Sequence, residues 1–187
     1  LSAMAGTAML AFSSASSAVP ISKTLEMYCE FPLIGNQPIT AVVDTDIPAS
    51  IGIGEATGSF DLSITSTVYE DASSGLNLIS AKALSGTAVS AATLTAPGLT
   101  LPLKVPIDLE LTPGGGGQAF SIPGTGSTPS LTFQAEGEAV IDITDITLNI
   151  EAWADEAGTQ PAPEPFDSFE SNCQLTAERA TNPSSAT

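Results

Sequence analysis

Carboxylates are the one abundant reactive group in this chain. Asp44 and Asp46, Asp108 and Glu110, and Glu136 and Glu138 each stand two residues apart. Paired carboxylates are what a glycosidase needs, one as acid and the other as base or nucleophile. The same spacing is also what a strand gives to its solvated face. Sugar sites usually add aromatic platforms, and Trp153 is the only tryptophan. A solvated face is the stronger reading of all three pairs.

Other catalytic chemistry is excluded by what is missing. The chain has no histidine, which removes the commonest general base and metal ligand. No serine can then be activated through an imidazole. No Gly-x-Ser-x-Gly elbow or phosphate-binding loop is present, and Gly52, Gly54 and Gly58 have the wrong spacing for a dinucleotide fingerprint. Two cysteines without histidine do not make a standard zinc site. The expectation is a protein that is not an enzyme and needs no cofactor.

Calcium is the one cation the acids could serve. They gather as Asp44 and Asp46, Asp142 and Asp145, and Asp155 and Glu156. Calcium takes about six to eight oxygens. No Asp-x-Asp-x-Asp-Gly loop supplies them, so the signal is compositional only.

Charge limits the partners. Lys23, Lys82, Lys104 and Arg179 face 21 acids, giving a net charge of −17. Nucleic acid and anionic membrane are repelled at long range.

Residues 3–12 are apolar and small, and Ser16-Ser17-Ala18 follows. This reads as the remnant of a signal peptide over residues 1–18, cut after Ala18, in a sequence truncated at its start. The run is too short for a span of about 20 apolar residues, so the mature chain is expected to have none. A helix packed on the domain is the alternative. Export implies an oxidising compartment, in which Cys29 and Cys173 pair.

The elements that must position these groups are strands. Ile21, Lys23, Leu25, Met27, Cys29 and Phe31 share one face by period two. A turn is expected at Gly35-Asn36, with the next strand from about Pro38. Residues 60–69 make a third strand, and 70–75 at most one helical turn. Leu84, Gly86, Ala88, Ser90, Ala92 and Leu94 share a face whose small side chains imply close approach or light cover. From Leu99 to Leu111 apolar residues alternate without a break. Pro102 and Pro106 would remove donors from one side of that strand, which suits an edge or a break in the ladder. Phe120 and Ile122 precede a Gly124-Thr125-Gly126 turn, and Leu131, Phe133 and Ala135 make another strand. The apolar phase flips at Thr144-Asp145, which marks a bulge or a tight turn. Eight to ten short strands at this spacing predict an all-β antiparallel sandwich over residues 19–175, ahead of a linker or tail at 176–187.

The stretch Tyr28-Cys29-Glu30-Phe31-Pro32-Leu33-Ile34-Gly35-Asn36-Gln37-Pro38 resembles the opening of a family of secreted actinobacterial domains of unknown function. The likeness continues through Asp46-Ile47-Pro48-Ala49-Ser50, Leu99 to Pro106, Ser130-Leu131-Thr132-Phe133 and Phe169-Glu170-Ser171-Asn172-Cys173, covering roughly 25–175. It implies an extracellular, immunoglobulin-like β-sandwich with a short N-terminal apolar segment. It carries over no catalytic residue. The expected function is a secreted or cell-surface structural or adhesive module whose partner is a cell-envelope component or another surface protein. The alternative is a module binding glycan or peptide, which a pocket lined by Tyr28, Tyr69 or Trp153 would favour.

Overall fold

The computed structural model of the chain describes residues 18–176. The expected leader therefore lies outside the described residues except for Ala18, and the expected tail lies outside them except for Thr176. The elements are β1 (Ala18–Phe31), β2 (Gly35–Pro48), β3 (Asp61–Val68), α1 (Glu70–Leu78), β4 (Ala83–Ala96), β5 (Leu99–Pro113), β6 (Phe120–Ser127), β7 (Val140–Trp153) and β8 (Ser168–Leu175).

These strands do not form a sandwich. They close into one antiparallel barrel in the order β1-β2-β3-β6-β5-β4-β7-β8. The expectation of an immunoglobulin-like sandwich is overturned by that closure, since β8 returns to pair with β1. Period-two alternation describes the inner face of a barrel as well as that of a sandwich. Strand length separates them here: β1, β2, β4 and β7 have 14 residues each and β5 has 15.

The inward residues follow the alternation. On β1, Leu25, Met27, Cys29 and Phe31 are buried while Glu26, Tyr28 and Glu30 are exposed. On β5, Leu103, Val105 and Ile107 are buried and every even position from Thr100 to Glu110 is exposed. The β1–β2 turn falls at Pro32–Ile34, with Phe31 opposite Gly35, so β2 begins earlier than its Gly35-Asn36 pair suggests. Gly124 and Gly126 lie within β6 rather than in a turn. Leu131 to Ala135 is not a strand; Thr132 makes only an isolated bridge to Ala56. The phase flip on β7 is a bulge: Ala91 pairs with Asp145 and Ala92 with Ile143, which leaves Thr144 over.

Helix α1 caps one end of the barrel. Its buried residues are Ala72, Ser73, Gly75 and Leu76. Gly75 is required by close approach, because a Cβ there would stand 2.4 Å from Cδ1 of Ile34 in the β1–β2 turn. Gly86 on β4 is required by conformation: its φ is +142°, and a Cβ would lie 2.1 Å from the Asn149 carbonyl oxygen.

Two seams in the wall are short. Among the described residues β1 pairs with β8 through Met27–Leu175, Tyr28–Gln174 and Cys29–Cys173, and the Thr176 amide donates to the Glu26 carbonyl at 3.0 Å just beyond. β5 meets β6 only through Ile107–Gly126, Asp108–Thr125 and Leu109–Gly124. Pro102 and Pro106 therefore sit beyond the end of the β5–β6 ladder, in a strand whose other side is paired to β4 without a break from Leu99 to Leu109. Cys29 and Cys173 are joined by a disulfide at the β1–β8 seam. Phe169 docks on Phe31 just beside it, with ring centroids 6.2 Å apart.

Candidate functional site

An eight-stranded barrel has an interior just wide enough either to fill with side chains or to hold one small ligand. This one is not filled. It encloses a cavity of about 280 Å³ running along the barrel. Large side chains wall it at the α1 end, among them Phe31, Val68, Leu84 and Ile122. Ala41, Ala88, Ser90 and Ala92 leave the space in its middle.

The far end is the mouth, lined by Ile47, Phe60, Thr128 and Ile141. Ile141 lines the cavity and is also 49% exposed, so the cavity communicates with solvent there. Two long connections flank the mouth and hold each other: Gly54 donates to the Phe133 carbonyl at 2.8 Å and Thr57 to that of Leu131 at 2.8 Å.

The lining holds no ionisable side chain. Its polar groups are the hydroxyls of Thr45, Ser66, Ser90 and Thr128. Thr45 donates to the Asp61 carbonyl at 2.8 Å, and Thr128 accepts from the Phe60 amide at 3.0 Å. The lining is therefore apolar with a few hydroxyls, which suits an apolar body.

The residues singled out from the sequence lie elsewhere. Tyr28 and Tyr69 are exposed and do not line the cavity. Tyr69 shares a hydrogen bond with Thr40 at 2.8 Å. Trp153 donates its indole N–H to Ser85 Oγ at 2.8 Å and bridges to Pro161, which ties the β7–β8 connection to the wall. Asp44, Asp46 and Asp108 come together with Asp61 around a shallow depression of about 840 Å³ on the outer wall. The register explains it: Ser22, Asp44, Ser63, Thr125 and Asp108 form one cross-strand row. Glu110 lies outside that depression, and Glu136 and Glu138 lie exposed in the β6–β7 connection.

Asp142 and Asp145 are exposed on β7. The Asp155 carboxylate is committed to its own loop, accepting from the Thr159 hydroxyl, the Thr159 amide at 2.9 Å and the Gln160 amide at 3.1 Å. The Thr159 hydroxyl and the Gln160 amide hold its carboxyl below the usual carboxylate range. Among the described residues, no group of three or more acids or cysteines has the arrangement to hold a metal ion.

The lumen itself was not singled out from the sequence. Its signal was the small inward row Ala88, Ser90 and Ala92 on β4, which in an enclosed barrel marks empty volume.

The model of a family of unknown function, DUF6801, matches residues 27–181, and the chain belongs to that family. No curated protein matches the chain. No solved structure matches it.

Proposed function

We propose that this chain is a non-catalytic binding module that holds an apolar small molecule in its barrel lumen. The observation that carries the reading is the unfilled interior. A sealed apolar cavity costs roughly 24 cal/mol per Å³, so leaving about 280 Å³ unfilled costs at most on the order of 7 kcal/mol, less where the mouth admits water. That is comparable with the whole stability of a typical domain, about 5–15 kcal/mol. A barrel serving only as a spacer or adhesive rod gains nothing from such a void. Larger side chains at Ala88 or Ala92 would remove it. The cavity is about twice the volume of an engineered apolar cavity that accommodates benzene, which sets the ligand at two fused rings or a short alkyl chain.

The module is read as working outside the cytoplasm. Its disulfide supports this, since such bonds persist in oxidising compartments. The test is a fluorescence titration with N-phenyl-1-naphthylamine, a neutral probe that brightens in apolar surroundings. The wild type should bind it saturably. Ala88→Trp, which places an indole in the middle of the lumen, should abolish binding while the far-ultraviolet circular dichroism stays unchanged. Saturable binding that survives Ala88→Trp in a folded variant would place the probe outside the lumen and overturn the reading.

A further inference from the structure

The inward face of β1 is apolar except at one position. Ile21, Leu25, Met27, Cys29 and Phe31 share that face with Lys23. Lys23 stands directly opposite Val43 on β2, and directly opposed residues of an antiparallel pair project to the same side. Val43 lines the cavity. Lys23 is therefore on the inward side of β1 at the mouth end, beyond the last β8 pairing at Met27; it stands past the residues that line the cavity itself, where the head of a ligand seated in the lumen would emerge. It is half-buried, and its ammonium has no hydrogen-bond or ion-pair partner among the described residues.

Composition makes this placement informative. The whole chain has four basic residues against 21 acids. Asp44 and Asp46, the acids nearest in register, occupy the alternate positions of β2 and face the outer depression. An acidic protein thus carries its acids outside this ribbon and a cation inside it. A half-buried lysine beside an apolar inner face, with no acid paired to it, is a charge that an incoming anion can meet.

We propose that the lumen ligand is a single-tailed amphiphile with a carboxylate head, its apolar body in the barrel and its head paired with Lys23. This rests on the lumen-binding reading above. A single ammonium matches a singly charged head. A phosphate monoester, with a charge of about −1.5 to −2 at neutral pH, would leave excess negative charge beside a protein already at −17.

Displacement of N-phenyl-1-naphthylamine by decanoate, decanol and decyl phosphate, at low salt and neutral pH, tests it. Decanoate should bind about 10-fold tighter than decanol, the typical strength of a charge-assisted hydrogen bond that is partly exposed, and tighter than decyl phosphate. Lys23→Gln should erase the advantage over decanol and leave decanol unchanged, and Lys23→Arg should keep it. Lys23 is not in the core, so circular dichroism should confirm that both variants fold. If decanol matches or exceeds decanoate, or the preference survives Lys23→Gln, the head-group assignment is overturned while the lumen reading stands. If decyl phosphate binds tightest, the anion site stands but its carboxylate selectivity is refuted. If neither the probe nor any of the three compounds binds, the lumen reading fails and this inference with it.

Discussion

Removing the disulfide should open the barrel where its wall is thinnest. Cys29 and Cys173 are 144 residues apart in sequence, so their bond closes nearly the whole domain into one loop. The chain-entropy treatment assigns a loop of that length about 5 kcal/mol. For a domain of this size 1 kcal/mol shifts the melting temperature by about 2–4 °C, so the loss should be about 10–20 °C. Both cysteines are buried, at 0% and 2% exposure, so serine would add buried hydroxyls. The double variant Cys29→Ala, Cys173→Ala is the cleaner perturbation. Calorimetry gives the shift, and hydrogen exchange gives its location. The amides of Met27–Cys29 and Cys173–Thr176 should lose protection first, because among the described residues the β1–β8 ladder is three pairs long and is extended by one bond from Thr176 to the Glu26 carbonyl. The β4–β5 ladder, paired along its length, should hold until global unfolding. A melting temperature within about 2 °C of the wild type, or uniform loss of protection across the barrel, would refute the view that this bond closes a weak seam.

Two further outcomes are expected. Ser73 Oγ is buried on the inner side of α1 with no partner, so Ser73→Ala should stabilise the fold or leave it unchanged, by up to about 1–2 kcal/mol; denaturant titration checks this, and marked destabilisation would mean that the hydroxyl is satisfied. Asp155 has a lowered carboxyl pKa, so its contribution is present at neutral pH and is lost as the pH falls through that value, below the ordinary aspartate value of about 3.9; Trp153 fluorescence should report the β7–β8 connection loosening in that acid range, and Asp155→Ala should loosen it at every pH.

Much of the local structure was legible because it is a property of single strands. Alternation along Ile21–Phe31 and Leu99–Leu109 named the inward residues, though Leu111 at the end of β5 is exposed, and the phase change at Thr144-Asp145 marked a bulge or turn that proves to be a bulge. Closure was not legible, because it is decided by which strands meet. The pairing of Cys29 with Cys173 brought the last segment back to the first strand, but nothing within Met27–Cys29 or Cys173–Leu175 announces that the two pair as a ladder and close the sheet. The expected eight to ten short strands favoured a sandwich, whereas β1, β2, β4 and β7 run 14 residues each and β5 runs 15. The candidate site depended on closure entirely. Ala88, Ser90 and Ala92 are unremarkable on an open sheet and become a cavity only when a wall surrounds them. Lys23 reads as one position of an alternating strand until Val43 opposite it is known to line that cavity.

The prolines of β5 show how the barrel tolerates an incomplete wall. β6 ends at Ser127, so Leu99–Pro106 has no strand partner on that side among the described residues. The Pro106 carbonyl oxygen lies against Gly126 of β6, which fixes the side to which that residue's backbone groups point. In an extended strand the N and O of one residue point the same way, and residues four apart repeat the direction. The donors missing at Pro106 and Pro102 are therefore ones that would have faced the gap. An open seam normally presents a row of unpaired N–H groups that other strands can bind. Here two of those donors do not exist, and Lys104 between them adds a charge on the outer face. The same gap runs toward the mouth end of the lumen. On the proposed lumen-binding reading a ligand would enter where the ladder is short, and such a seam needs protection against pairing with its neighbours. Pro102 and Pro106 supply that protection without closing the seam.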